Sequence, residues 1–334
     1  MTRMVGRIVA IAAMAAFIFN AVDALAQRTL KINESLGPGS AEEAALLHFK
    51  KAVEEKSKGG LQIAIHLQDQ LGNPQTSLEN LQTGTLELYS GALEYYAAVA
   101  PQEINIISLP YFVKDQEHLR RYLKGPAFAD AQKKLLDRGI RFLSTEFNGE
   151  RGPYRVFVSS KPILKLEDLQ GVKIRMFPNE VAIRSWKQLG TVPSQIAWTE
   201  TYLAIRQGVV QGVTAPLSAV RSMKFTEVAP YLLETREYPQ TWPITVSDRV
   251  WRALSPEHQK ALVDAANEAG KVYAQVTLDR AQSDIDAMVR DNNAVYVRLN
   301  IDAFRKRMEP LYQELIKENI ISKVLFDAVQ AAAN

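Results

Sequence analysis

The sequence predicts an α/β protein with two domains. Short apolar segments alternate with helical patterns along most of the chain, as they do in parallel βαβ architectures. The chain has 334 residues, which is more than one hydrophobic core of roughly 150 residues usually holds. Near the carboxyl end, one helical pattern is longer than a domain of that size is wide.

The first domain begins with an alternating strand at residues 30–33 and a break at Gly37-Pro38-Gly39. Ser40 and Glu43 have the spacing of a capping box, so they predict a helix that ends near Gly59-Gly60. A strand at 61–67 then completes a parallel βαβ unit. The alternation continues with a helix at 74–84, a strand at 86–90, a helix at 125–138 and a strand at 140–144.

The second domain repeats this pattern. It comprises a strand at 155–159, a short helix at 166–170, a strand at 172–177 and a helix at 179–190. The run Ser255-Pro256-Glu257 then provides a cap, a first-turn proline and an early acid. It predicts a helix that continues to about residue 290 with only Gly270 against it. Because this helix would be about 50 Å long, we expect it to span both domains.

The amino terminus is typical of a secretory signal peptide. Arg3 and Arg7 precede an apolar run at residues 8–19, and Ala24-Leu25-Ala26 matches the small-residue pattern of cleavage sites. The apolar run is shorter than the roughly 20 residues that a membrane-spanning helix needs. We therefore predict export and cleavage after Ala26. The alternative is an uncleaved amino-terminal anchor.

Composition narrows the function classes. Loss of residues 1–26 removes two arginines and one aspartate, so that 38 of the 40 basic and 36 of the 37 acidic residues remain. This balance argues against a nucleic-acid-binding protein. The chain contains no cysteine, so no disulfide stabilises the exported protein and no thiol performs chemistry.

No pattern of catalytic or metal-binding residues stands out. The four histidines are scattered singly, without the spacing of zinc ligands. Neither a Gly-x-Ser-x-Gly elbow nor a phosphate-binding glycine loop is present. Acidic pairs such as Glu42-Glu43 lie beside lysines on predicted helices, where a solvated face explains them. The sequence therefore nominates no catalytic residue, no metal site and no cofactor.

One run of residues carries a family resemblance. The segment 168–179 reads Asp-Leu-Gln-Gly-Val-Lys-Ile-Arg-Met-Phe-Pro-Asn. It resembles the Asp-Leu-x-Gly-x-Lys-Ile-Arg motif of the solute-binding subunits of tripartite ATP-independent periplasmic (TRAP) transporters, the dicarboxylate-binding-protein (DctP) family. Four more family motifs follow the family's order along nearly the whole mature chain, namely Gln70-Leu71-Gly72, Leu109-Pro110-Tyr111, the run 198–204 and the run 207–212.

The resemblance implies a two-lobed periplasmic-binding-protein fold (type II-like), with an α/β core in each lobe and a ligand cleft between them. We assign residues 27–151 plus 241–280 to lobe I and residues 152–240 plus 281–334 to lobe II. In the periplasm, such a protein closes its lobes on an organic acid. The resemblance further implies that it delivers this acid to the small and large membrane subunits of a TRAP transporter.

The resemblance also implies a ligand clamp. In this family the arginine of the Lys-Ile-Arg strand binds the ligand carboxylate, and the matching residue is Arg175. Strand alternation places Arg175 opposite the apolar Ile174 and Met176, near the carboxyl end of the strand, where open α/β sheets bind ligands. A guanidinium pairs with a carboxylate through two parallel hydrogen bonds. Spacing alone favours an exposed strand arginine, and the resemblance reverses that preference.

A second family arginine has two candidates. The family pattern Asn-Gly-x-Arg reads Asn148-Gly149-Glu150-Arg151 here and nominates Arg151. The usual spacing back from Gly171 nominates Arg155 instead. We favour Arg155 because it begins a predicted strand, whereas Arg151 lies in a glycine-proline turn. Arg151 remains the alternative.

The ligand class is the least determined part of the sequence. Trp198 matches an aromatic residue that lines the family pocket, although an aromatic residue before a helix is also typical of a core. The run Val213-Thr214-Ala215-Pro216 lacks an amide that the family commonly has after its glycine. Dicarboxylates, keto acids, hydroxy acids, sugar acids and aromatic acids all stay open, and these two features slightly favour a less polar monocarboxylate. We expect the lost amide to be compensated by side chains among Asn179, Thr214, Tyr89 and Trp242.

Other functions stay open at this point. A binding protein of an ATP-driven importer shares the two-lobed fold but lacks both the Lys-Ile-Arg arginine and the long helix. A periplasmic enzyme acting on an organic acid needs a titratable residue beside Arg175, for which Glu200 is the nearby candidate. A binding protein used for sensing rather than uptake is the third alternative.

Overall fold

A computed structural model describes residues 27–333 of the protein. The predicted signal peptide and its cleavage after Ala26 lie outside these residues. In the part of the chain that is described, no helix is both long and apolar enough to cross a bilayer.

Five strands form the first sheet. They are β1 (Arg28–Asn33), β2 (Leu61–His66), β3 (Leu88–Ser90), β4 (Ile140–Phe142) and β10 (Ile244–Ser247). Their order across the sheet is β2-β1-β3-β10-β4. The predicted βαβ unit is confirmed, because β1 pairs in parallel with β2 and also with β3. Strand β10 returns from a distant part of the sequence and is antiparallel to both of its neighbours.

Six strands form the second sheet. They are β5 (Arg155–Ser159), β6 (Lys173–Met176), β7 (Val192–Gln195), β8 (Gly212–Pro216), β9 (Tyr231–Glu234) and β11 (Val295–Arg298). Their order is β11-β9-β5-β8-β6-β7. Strands β8, β6 and β7 are parallel, whereas β5 is antiparallel to β8 and β9. The amino end of β5 therefore lies at the same edge of the sheet as the carboxyl ends of β6 and β8.

Twelve α-helices connect and cover the sheets in the part of the chain that the structure describes. They are α1 (Ala41–Lys56), α2 (Pro74–Thr83), α3 (Pro101–Asn105), α4 (Gln116–Lys124), α5 (Pro126–Asp137), α6 (Glu180–Gln188), α7 (Thr201–Arg206), α8 (Leu217–Ser222), α9 (Asp248–Arg252), α10 (Pro256–Asn292), α11 (Asp302–Lys317) and α12 (Lys323–Ala331). Short 3₁₀ segments also occur, among them Leu93–Ala98, Leu166–Leu169 and Trp198–Glu200.

The cap of α1 differs slightly from its prediction. Ser40 Oγ accepts a hydrogen bond from the Glu43 amide at 3.1 Å, as a capping box requires. The Glu43 carboxylate, however, accepts from the amide of Gly39 at 2.7 Å instead of from that of Ser40. The acid thus stabilises the glycine turn that precedes the helix.

Helix α10 confirms the prediction of a long helix. It has 37 residues and begins at a cap in which Ser255 Oγ accepts from the His258 amide at 3.2 Å. Leu262 and Tyr273 pack into the core between α1 and the first sheet. Ile285 and Met288 pack into the core beneath the second sheet. The helix, about 55 Å long, therefore joins both sheets.

Several elements have no counterpart in the sequence prediction. Residues 93–108 form two 3₁₀ segments and α3, and helix α4 follows shortly after them. Strands β7 and β9 and helices α7 and α8 are likewise short. Elements of this length are stabilised by tertiary packing rather than by a periodic pattern of their own, so the sequence signals them weakly.

The carboxyl-terminal helices contact both halves of the molecule. Arg184 of α6 donates to Glu318, just after α11, at 2.6 Å. In contrast, the rings of Phe326 in α12 and Phe112 stack with centroids 4.3 Å apart. Helix α12 thus packs against a segment that we assign to lobe I. The assignment of 281–334 as a whole to lobe II stays a prediction.

Gly270 has a packing reason for its place inside α10. A Cβ atom at this position would lie 2.1 Å from Asn148 Oδ1 and 3.2 Å from the amide nitrogen of Gly149. The side chain of Asn148 also donates to the carbonyl of Asn267, one turn earlier, at 3.0 Å. The chain entering the second sheet therefore lies directly on the helix.

We expect Gly270→Ala to lower the free energy of unfolding by about 1–3 kcal/mol, because the added methyl group overpacks this contact. Helix propensity alone would favour alanine by about 1 kcal/mol. Urea denaturation of the exported protein measures the difference. The exposed neighbour Lys271→Ala is the control, with an expected change within about 0.5 kcal/mol. A Gly270→Ala protein as stable as the wild type would contradict the close approach.

Candidate functional site

A cavity lies between the two sheets, at the carboxyl ends of their parallel strands. Glu34, Gly91 and Phe177 line it, and they directly follow β1, β3 and β6. The space between its wall atoms, part of it open to solvent, is about 440 Å³, and the centre of a water-sized sphere can reach about 30 Å³ of it. Open α/β sheets bind ligands at this position. Five residues singled out from the sequence line it, namely Arg151, Arg155, Arg175, Trp198 and Thr214.

Arg175 is 3% exposed and has no acidic partner within residues 27–333. Its Nε donates to the carbonyl of Ile196 at 2.9 Å. Its guanidinium carbon lies 5.1 Å from the centre of the Trp198 ring. Burial lowers the pKa of this guanidinium; Tyr95 opposes the effect and the charge of Arg155 adds to it. The two terminal nitrogens form no ion pair within residues 27–333, so a bound anion would neutralise the charge that they carry.

Arg155, in contrast, is held by the protein. Its Nε donates to Glu237 at 3.1 Å, one terminal nitrogen donates to Gln240 at 2.5 Å, and the other donates to Thr214 at 2.8 Å. The guanidinium carbon lies 4.7 Å from the centre of the Tyr238 ring. Each nitrogen thus has a protein partner, which fixes the side chain at the cavity wall.

Arg151, the alternative candidate, is buried beside another acid. Its Nε donates to Glu42 at 3.3 Å, and the same carboxylate oxygen accepts from the Tyr273 hydroxyl at 2.8 Å. Within residues 27–333, its terminal nitrogens donate no hydrogen bond. The structure brings both arginines to the cavity, and the choice between them as the ligand contact stays a prediction.

Three predicted residues lie behind the wall rather than in it. Asn179 caps α6, where its Oδ1 accepts from the Ala182 amide at 2.9 Å. Tyr89 is fully buried in the core of the first sheet. Trp242 is also buried, and its Nε1 donates to Glu34 at 2.9 Å. The expectation that these side chains replace the lost amide stays a prediction. Asn179 and Trp242 already have protein partners for these polar atoms, whereas the Tyr89 hydroxyl has no hydrogen-bond partner within residues 27–333 and lies beside Gly91 of the cavity lining.

Polar groups on the first-sheet side of the cavity were missed from the sequence. Glu34, Glu94 and Gln240 line the cavity together with Tyr95. Glu94 stands within an apolar run, and Glu34 directly follows a buried strand. Unpaired acids are rarely fully buried. An acid within or beside a buried apolar segment was therefore the sequence signal that could have identified these wall residues. Glu200, the acid proposed from the sequence, is exposed and is not part of the wall.

The carboxyl group of Glu34 is fully used by neighbouring donors. One oxygen accepts from the amides of Ser35 and Leu36 at 2.8 and 3.2 Å. The other accepts from Ser90 Oγ at 2.8 Å and from Trp242 Nε1 at 2.9 Å. All four lone-pair positions of the carboxylate are therefore occupied.

The pKa of Glu34 is nevertheless raised to about 7. Burial is the main cause and the nearby charge of Glu42 is the second, while the hydrogen bond from Trp242 and the charge of Arg151 lower the pKa. The charge state of the cavity wall thus changes near neutral pH.

With this geometry established, the chain can be compared with known proteins. Residues 32–319 match the DctP family model, described as bacterial extracellular solute-binding protein, family 7. The chain belongs to this family. The match covers all of α10 and both sheets except the first four residues of β1.

The similarity between this family 7 protein and its relatives covers nearly the whole chain. The family 7 protein is 27% identical over 304 residues to the sialic acid-binding periplasmic protein SiaP of Vibrio cholerae, and the alignment covers 90% of this chain and 92% of the relative. It is also 27% identical to the 2,3-diketo-L-gulonate-binding periplasmic protein YiaO of Escherichia coli, covering 88% of each. A TRAP periplasmic solute-binding protein from a Polaromonas species, solved with bound D-erythronate, superposes with a TM-score of 0.83 at 27% identity, covering 91% of this chain and 99% of that one.

These comparisons confirm the TRAP solute-binding family and the two-lobed α/β fold predicted from the sequence. The family 7 protein is a solute-binding protein of the TRAP type, and the alternative of an ATP-driven importer is set aside. The three relatives bind sialic acid, 2,3-diketo-L-gulonate and D-erythronate, respectively.

The raised pKa of Glu34 gives a prediction for stability. The free carboxyl titrates near 4.5 and the folded one near 7, so the folded protein binds this proton more tightly. The free energy of unfolding should therefore fall as pH rises from about 4.5 to 7, by up to about 3 kcal/mol from this group.

Urea denaturation between pH 4.5 and 8 checks this expectation by comparing the wild type with Glu34→Gln. The variant should lose that part of the pH slope, whatever its absolute stability. Glu167→Gln, an exposed acid-to-amide change, should keep the wild-type slope. Equal slopes in the wild type and Glu34→Gln would mean that Glu34 titrates at its ordinary pKa.

Proposed function

We propose that this protein captures an organic acid in the periplasm, with Arg175 as the residue that binds the ligand carboxylate. The supporting observation is the buried guanidinium of Arg175, whose terminal nitrogens have no acidic partner within residues 27–333. Arg151 and Arg155 each have a carboxylate beside them. A bidentate pair between Arg175 and a ligand carboxylate would supply the missing anion.

The neighbours of Arg175 orient it for this contact. Its Nε is bonded to the Ile196 carbonyl and its guanidinium lies over the Trp198 ring, so the two terminal nitrogens are the donors left for a ligand. Guanidinium groups in fixed orientation lose less entropy on binding. Closure of the lobes would remove water from the pair and strengthen it. The resulting shift toward the closed form is how binding would be signalled to a partner.

We further propose that the closed form delivers its ligand to the small and large membrane subunits of a TRAP transporter. Membership of the family and the likeness to TRAP solute-binding proteins support this partner. We propose no catalytic activity. Glu34, the wall acid whose pKa is shifted toward neutrality, has all its acceptor positions occupied, so it has no lone pair for proton abstraction.

A thermal-shift screen with organic acids tests the carboxylate site. The panel comprises succinate, pyruvate, benzoate, D-gluconate and D-glucuronate, added to the exported protein. An acid at 100 times its dissociation constant should stabilise the wild type by about 2.7 kcal/mol. Arg175→Lys keeps the charge but loses the planar pair of donors, so we expect at least about tenfold weaker binding.

Arg206→Lys is the matched control, because this arginine is exposed on α7, and it should bind like the wild type. Equal stabilisation of the wild type and Arg175→Lys would remove Arg175 from the site. NMR of each acid after incubation tests for turnover, and any product formation would contradict a purely binding role.

Mass spectrometry of the exported protein tests the localisation. We expect a mature chain that begins at Gln27, in agreement with cleavage after Ala26. A periplasmic fraction that contains only the full-length chain would instead support the uncleaved anchor.

A further inference from the structure

Asp69 is a buried acid without a hydrogen-bond partner in the described part of the chain. It lies in the turn that follows β2, where Gln68 and Asp69 both adopt a φ of 57°. Both of its carboxylate oxygens are buried, and neither accepts a hydrogen bond within residues 27–333. Such a carboxylate is unfavourable in its ionised form, because burial penalises the charge and no donor compensates for it.

This turn lies directly behind the wall of the cavity. The Asp69 amide donates to the Glu34 carbonyl at 3.1 Å, and the Gln68 amide donates to the Leu36 carbonyl at 3.2 Å. Glu34, Ser35 and Leu36 line the cavity, whereas Asp69 is not among the described residues that line it. A ligand in the cavity would therefore act on Asp69 through its charge rather than through a hydrogen bond.

Arg175 is the cation that acts on Asp69. Burial raises the pKa of Asp69 to about 6, while the neighbouring Ser35 hydroxyl and the charge of Arg175 lower it. Tyr89 of β3 is also close, since the charge of Asp69 adds to the burial that chiefly raises the pKa of this phenol. Glu34, in the adjoining segment, is a further titratable group near the turn. Loss of the positive charge at Arg175 would raise the pKa of Asp69 further.

We propose that Asp69 takes up a proton from solution when an organic anion binds to Arg175, so that this family 7 protein binds its ligand more tightly as pH falls. The anion neutralises the guanidinium, and the Asp69 carboxylate thereby loses the cation that favours its ionised form. This inference rests on the proposed carboxylate site, because it requires the anion to be held at Arg175.

Proton linkage gives the direction of the effect. The pKa of Asp69 is about 6 in the protein alone and would be higher in the complex. Between these two values the complex carries more of the proton than the free protein does, so the affinity falls as pH rises through this window. Above the higher value Asp69 is ionised in both states, and the affinity no longer depends on this group.

Carbon-13 NMR of the aspartate carboxyl groups measures this titration in the exported protein. The Asp69 resonance is identified by its absence in Asp69→Asn, because asparagine also adopts the positive φ of this turn. We expect a midpoint near pH 6 in the wild type. In Arg175→Gln it should be at least about half a pH unit higher, since a cation in direct contact lowers a carboxyl pKa by about 1–3 units and Arg175 is more distant.

Arg206→Gln, which changes an exposed arginine, should keep the wild-type midpoint. A midpoint near pH 4 in the wild type, the ordinary value for aspartate, contradicts the proposal. The same midpoint in the wild type and in Arg175→Gln contradicts it as well.

Calorimetry tests the link to binding, with pyruvate, benzoate, D-gluconate and D-glucuronate as probes. For each probe that binds, the affinity of the wild type should be at least about threefold higher at about pH 5.5 than at about pH 8, which corresponds to half a pH unit. Asp69→Asn should remove this dependence, whereas Glu34→Gln and the exposed control Asp130→Asn should keep it. Loss of the dependence in Glu34→Gln with persistence in Asp69→Asn overturns the inference. No binding of any probe, or equal affinity at both pH values, also overturns it.

Arg175→Gln separates this inference from the carboxylate site. The expected result is loss of binding together with a raised Asp69 midpoint. If the variant loses binding while Asp69 keeps its wild-type midpoint, the carboxylate site stands and the coupling to Asp69 fails. If the variant binds the probes like the wild type, the carboxylate site fails whatever the midpoint of Asp69.

Discussion

The buried guanidinium of Arg175 is the constraint on which the cavity depends. A cation away from water is unfavourable unless an anion or several acceptors compensate for it. Here the described part of the chain supplies one carbonyl, one aromatic face and the neighbouring Tyr95, but no carboxylate at ion-pair distance. The ligand would therefore complete an electrostatic arrangement that the fold leaves incomplete, which couples binding to closure of the cavity.

The three cavity arginines show how burial is compensated in different ways. Arg155 and Arg151 each have a carboxylate beside them, from Glu237 and Glu42. Arg155 also donates from all three nitrogens, so that it acts as a fixed part of the wall. Arg151 keeps its terminal nitrogens free of protein partners in the described chain. Arg175 forms no ion pair there, and its nearest electrostatic partners are Tyr95 and the more distant Asp69. The three arginines of this cavity thus differ in how many of their donors the protein itself occupies.

Helix α10 connects this chemistry to the rest of the molecule. Tyr273 on the helix donates to Glu42, which in turn accepts from Arg151 at the cavity. One end of the helix packs beneath the first sheet and the other beneath the second. The close contact at Gly270 holds the chain that carries Arg151 against the same helix. Movement of one sheet relative to the other would therefore be transmitted through α10.

The sequence by itself determined the alternation of strands and helices, the long helix and the position of Arg175, because periodicity, caps and a contiguous motif are local properties. It also nominated Arg155, Trp198 and Thr214, which line the cavity. Tertiary structure decided which polar side chains face that cavity. Asn179 and Trp242 are committed to a helix cap and to Glu34. Glu94 instead reaches the cavity from a 3₁₀ segment and Gln240 from a loop far away in sequence. Such convergence depends on packing between distant segments, and burial of an acid is a property of its surroundings that no short stretch of sequence contains.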